Sequence, residues 1–137
     1  MNAVIYLVRH CEAAGQDPDA PLTEPGRKQT IALADRLCEM PILAQRIVSS
    51  PFVRAYQSIE PLSERIGLKV EFDGRLIERT LSSVALDDWR ERLAQAFFDL
   101  DLTFEGGESS RTAMIRGVAV VDQALAQNAR ATVVEAF

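Results

Sequence analysis

The chain has 137 residues, 47% of them hydrophobic, enough for one domain spanning 1–137 with its own core and too few for two. Its formal net charge is -5 and its pI about 4.9, which excludes non-specific binding to nucleic acid or to an anionic membrane; any phosphate must be held by a local cluster of arginines against the global sign. Two cysteines, Cys11 and Cys38, are too few for a disulfide framework and read as reduced thiols of a cytoplasmic protein.

No basic segment precedes an apolar core at the N-terminus, so a signal peptide is not expected, and no apolar run reaches the ~20 residues of a membrane span. Residues 3–8 are a β-prone apolar run of the kind buried on both faces of a parallel sheet. Gly, Asp and Pro mark 15–22 as a loop. A helix is predicted from Thr23 to Met40, with Thr23 as N-cap and Ile31, Ala34, Leu37 and Cys38 on one face. A short strand follows at 46–51, where Ser50 caps the next helix and Pro51 sits in its first turn. That helix aligns Phe52, Ala55, Tyr56, Ile59, Leu62 and Ile66, is kinked by Pro61 and ends at Gly67. Residues 69–73 are a third strand. A helix over 86–98 lines up Trp89, Leu93 and Phe97 as core or substrate-side cover, and a later helix lines up Met114, Val118, Val121 and Leu125. A fourth strand follows at 131–137. Strands alternating with helices predict a three-layer α/β/α fold around a mostly parallel central sheet.

Ligands of open α/β sheets collect at the carboxyl ends of the strands. There the chain places Arg9 and His10, its single histidine, after the first strand. Arg54 falls in the first turn of the helix after the second strand, where backbone N–H groups favour an anion. Glu78 comes shortly after the third. Guanidinium forks fit phosphate oxygens, a neutral imidazole is a nucleophile at pH 7, and a carboxylic acid can protonate a leaving oxygen. Together these are an inventory for phosphoryl transfer. Nothing in it requires a metal, and no Cys/His/Asp cluster stands at ligand spacing. Singly, each residue also has a structural reading: His10 as a hydrogen-bonded strand-end histidine, Arg54 as a surface arginine, Glu78 as an ion-pair partner of Arg75 and Arg79. Residues 106–110, Gly-Gly-Glu-Ser-Ser, read equally as a turn and N-cap. Cys11, beside an expected anion, has arginine neighbours that would lower its pKa.

The segments LVRHCEA, PLTEPGRKQ, SSPFVRAYQS, RLIER and GGESS occur in the order and approximate spacing of the histidine phosphatase superfamily, the phosphoglycerate-mutase-like family, and the resemblance covers essentially the whole chain. It implies that His10 becomes phosphorylated, that Arg9 and Arg54 grip the phosphoryl group, that Glu78 donates the proton, and that Gln16 and Thr23 lie near the substrate mouth. No cofactor or metal is implied. The expected partners are a small phosphorylated substrate or phosphoprotein and inorganic phosphate.

Three departures from the family pattern qualify this. Cys11 stands where the family usually has glycine. Ala13 and Gln16 replace the serine and asparagine of the mutase branch, which points to the phosphatase branch. The family's second histidine, expected just after the fourth strand, is missing, and the chain resembles a family member lacking its C-terminal part. The expected activity is therefore phosphomonoester hydrolysis through phospho-His10, impaired by the absent histidine. The alternatives are a non-catalytic phosphate-binding or regulatory relic and, disfavoured by Ala13 and Gln16, a phosphoglycerate-type phosphomutase.

Overall fold

The computed structural model describes residues 2–136. In chain order the elements are β1 (Val4–Arg9), α1 (Glu24–Cys38), β2 (Arg46–Ser49), α2 (Val53–Ile66), β3 (Val70–Phe72), a short 3-10 turn (Gly74–Leu76), α3 (Trp89–Phe98), α4 (Ser110–Leu125) and β4 (Ala131–Ala136). The four strands form one parallel sheet in the order β1-β4-β2-β3. The sequence-derived α/β class and parallel sheet are both observed.

The chain divides into two compact units. The first runs to Ile77 and resumes at Val120; the second is Glu78–Ala119. In the first, Ala34 and Leu37 of α1 and Ile59 and Leu62 of α2 pack with Ile47 and Val133 on one face of the sheet. Val120 of α4 and Leu76 cover Val48 and Val134 on the other. Burial on both faces falls on β2 and β4, which are buried at nearly every position, and not on the apolar run of β1, an edge strand on which Leu7 is exposed.

Local chemistry sets the helix ends. The Thr23 hydroxyl accepts the Gly26 N–H at 3.0 Å and caps α1, as the sequence predicts. Gly67 closes α2 with φ at 69°, a left-handed value that favours glycine, and its N–H donates to the Ser63 carbonyl. The start of α2 differs from expectation. Its N-cap is Phe52, and Pro51 precedes the helix. Ser50 still belongs to the sheet edge, its N–H donating to Glu135 O at 3.1 Å, so the helix begins later; the Ser50 hydroxyl accepts the Phe52 N–H.

Two predicted helix faces are corrected. The buried stripe of α1 is Gly26, Thr30, Ala34 and Leu37, and Ile31 is exposed. A Cβ at Gly26 would lie 2.1 Å from the Glu12 carbonyl oxygen, so the backbone approach at Gly26 fixes which side of α1 faces inward. On α4 the buried residues are Ala113, Val120 and Ala124, while Met114, Val118 and Leu125 are exposed. Small side chains, not the largest apolar ones, face inward on that helix.

In the second unit, residues 80–83 and 105–108 are tied by Ser83 N–H to Glu105 O at 2.8 Å and Glu108 N–H to Thr80 O at 2.9 Å. The Ser109 hydroxyl accepts the Thr112 N–H at 3.1 Å, so the Gly-Gly-Glu-Ser-Ser segment does act as a turn and cap. The aromatic stripe of α3 is not core: Phe97 and Trp89 are exposed, and the buried residue is Ala96. Among the described residues, no helix is long and apolar enough to cross a membrane.

Candidate active site

The loop that leaves β1 is held by its neighbours on both sides. Thr23 N–H donates to Glu12 O at 3.0 Å, and Ala13 bridges Leu22. The Glu12 N–H donates to Gln29 Oε1 on α1, and the Leu22 N–H to Gln57 Oε1 on α2. Val53 N–H, in the first turn of α2, donates to Pro18 O. These bonds are backbone-directed, so they fix the path of the loop whatever occupies its exposed positions.

His10 is half-buried at the end of β1. Its Nδ1 lies 2.7 Å from the Cys11 carbonyl oxygen. A carbonyl only accepts, so Nδ1 carries the hydrogen, and in the neutral ring the lone pair sits on Nε2. The Cys11 N–H donates to Ser58 Oγ at 2.8 Å, and Ser58 Oγ donates to the Arg54 carbonyl at 2.7 Å. One hydroxyl on α2 thus links the residue after His10 to the residue that bears the buried guanidinium.

Arg54 is 2% exposed, so the surface-arginine reading fails. Its Nη1 donates to the carbonyls of Gln16, at 3.1 Å, and Asp17, at 3.0 Å, and its guanidinium lies 4.9 Å from the centroid of the Phe52 ring. The contact of Gln16 with Arg54 is made through its backbone carbonyl. Thr23 combines its cap with a hydrogen bond to Glu12 Oε1 at 2.9 Å. Arg9 is exposed at the end of β1, in register with Ala136 of β4.

Glu78 belongs to the second unit. Of the two arginines flanking it, Arg75 forms a salt bridge with Asp73 at 2.7 Å, and Arg79 donates to the Ser110 hydroxyl.

Sequence reasoning missed two parts of this site. Ser58 carries no motif of its own. Glu135 does have a signal, a carboxylate inside the otherwise apolar run of β4. It is fully buried. Its Oε2 lies 3.3 Å from Ser49 Oγ, and among the described residues its Oε1 has no partner. Burial pushes this acid up to about 8, against smaller opposing pulls from the Ser49 hydrogen bond and the Arg54 charge. Burial also pushes the Cys11 thiol up, reinforced by the Glu135 charge and opposed by its bond to Ser58. The expected lowering by arginine neighbours is therefore reversed, because desolvation outweighs every charge near the sulfur. Among the described residues, no group of three His, Cys, Asp or Glu is arranged to hold a metal.

A parallel α/β sheet thus carries a histidine at the end of its first strand and a buried arginine in the helix after its second. Residues 5–135 match the model of the histidine phosphatase superfamily, branch 1, and the chain belongs to that family. It is 29% identical over 113 residues to the probable phosphoglycerate mutase GpmB of Shigella dysenteriae serotype 1, covering 69% of this chain and 51% of that protein. The counterpart from Escherichia coli O1:K1 is 31% identical over the same coverage. The chain thus spans about half the length of the curated relatives it matches. Among solved structures, a mycobacterial glucosyl-3-phosphoglycerate phosphatase in complex with inorganic phosphate superposes with a TM-score of 0.79 at 31% identity, covering 95% of this chain and 70% of that one.

Proposed function

We propose that this chain carries the phosphoryl-accepting half of a metal-independent phosphomonoester hydrolase, with His10 as nucleophile. The observation that carries the reading is the His10 Nδ1–H bond to the Cys11 carbonyl, which leaves Nε2 as the nucleophilic nitrogen in the neutral ring. In the first step Nε2 attacks phosphorus, the P–N bond forms, and the P–O bond to the leaving group breaks; Glu78 supplies the proton to that oxygen. In the second, water attacks the phosphohistidine, the P–N bond breaks, and the water proton passes to the Glu78 carboxylate. Arg9 and Arg54 offset the charge on the non-bridging oxygens.

Ala13 and Gln16 favour hydrolysis over a mutase reaction. The substrate class is a small phosphomonoester or a phosphoprotein.

The test is a trapping experiment with a ³²P-labelled aryl phosphate. The wild-type chain should take up acid-labile label with chelator present, and His10→Ala should take up none. Label or turnover retained by His10→Ala would refute the mechanism. Binding of phosphate with no label on either protein would favour the non-catalytic relic instead.

A further inference from the structure

Glu135 has no part in the mechanism above, yet it is buried at the carboxyl edge of the sheet among that site's own groups. We propose that Glu135 is a positioning residue that sets the charge of the Arg54 anion site, admitting an oxyanion when it holds a proton and opposing one when it does not. The proposal rests on the phosphate-site reading of Arg54.

The groups that act on Glu135 come from every element around it. In register with it are Val8 of β1, which is apolar, and Ser49 of β2, which is uncharged. Among the described residues, the charged or titratable ones are Arg54 from α2 and the Cys11 thiol from the loop after β1. The Ser49 hydroxyl has a single proton, and the Ser50 carbonyl, 2.9 Å away, is a nearer acceptor for it than Glu135 Oε2. With that proton directed to Ser50, Ser49 Oγ is left to accept from a protonated Glu135. The orphaned Oε1 points the same way: an ionised carboxylate would leave a full acceptor unmet in a dry site, whereas a neutral acid leaves only a carbonyl-like oxygen.

Ionising Glu135 adds one negative charge beside Arg54, and an incoming anion then meets a like charge across a low-dielectric space. Proton and anion therefore bind with positive coupling, and the coupling must be reciprocal. Burial, which pushes Glu135 up to about 8, brings the switch near neutral pH.

The experiment uses sulfate, which does not titrate in the working range, with binding followed by calorimetry between pH 7 and 9.5. Sulfate affinity of the wild-type chain should fall about five- to tenfold across this range, within the usual span of coupling between sites. Glu135→Gln, a neutral isostere, should hold its affinity nearly level, and Cys11→Ser should keep the wild-type dependence. A wild-type affinity level with pH, or an equal decline in Glu135→Gln, overturns the proposal while leaving the anion site intact. No sulfate binding at pH 7 refutes the Arg54 site itself, and this inference with it. Should Glu135→Gln fail to fold, the Glu135 side-chain ¹³C carboxyl signal of the wild-type chain is titrated with and without sulfate. An upward shift of its midpoint supports the coupling, and an unmoved midpoint overturns it.

Discussion

Replacing Glu135 by glutamine should flatten the pH dependence of folding stability between pH 5 and 8.5. In the folded chain burial raises this acid from an ordinary 4.5 to about 8. Across that interval the native state holds a proton that the unfolded chain has released. The contribution is therefore fully present below 4.5 and is lost as pH rises through 8. At about 1.36 kcal/mol per unit, the rise corresponds to about 5 kcal/mol as an upper bound, a large part of the 5–15 kcal/mol that holds a typical domain together. The paired carboxylates Glu71, Asp73 and Glu108 are held below their ordinary range by Arg46, Arg75 and Arg116. Their stabilisation is lost only as pH falls through those lower values, so it is constant in the window used. Urea unfolding followed by far-UV circular dichroism at pH 5 and pH 8.5 measures the effect. The wild-type chain should lose about 2–4 kcal/mol more than Glu135→Gln between the two conditions. Equal losses would show that Glu135 ionises as readily folded as unfolded, and that the burial argument is wrong.

Two glycines should respond differently to alanine. Gly26→Ala drives a Cβ to within 2.1 Å of the Glu12 carbonyl and should cost about 1–3 kcal/mol while loosening the β1 loop, whereas Gly67→Ala, with open space around it, should cost only the ~1 kcal/mol of a left-handed backbone. Thermal unfolding ranks the pair, and equal costs would refute the close-approach argument. Ser58→Ala removes the acceptor for the Cys11 N–H and should destabilise by about 1–3 kcal/mol; hydrogen exchange at the Cys11 amide should accelerate with it, and unchanged protection there would refute the link.

What could be read in advance was what local chemistry decides. Thr23 caps α1 because a hydroxyl three residues before an amide is a self-contained device, and Gly67 ends α2 because only its own φ matters. The order of strands and helices follows from apolar runs and their periods. The inward faces of α1 and α4 were not legible, since Thr30 and Ala113 face inward in place of the larger Ile31 and Met114 for reasons that lie in the partner surface. The site divides in the same way. His10 and Arg54 announce themselves by residue type and position. The carbonyls of Gln16 and Asp17 that hold Arg54 do not, because a backbone oxygen has no signature in sequence.

The sheet order has a consequence for how the chain acquires its structure. β4, at residues 131–136, is inserted between β1 and β2, which make no pairing with each other. During synthesis the first two strands must wait, with their facing edges unpaired, until more than a hundred further residues after β1 have left the ribosome. Nascent chains stalled before Ala131 should remain protease-sensitive around β1, and the His10 loop should gain its protection in the same step that seats β4.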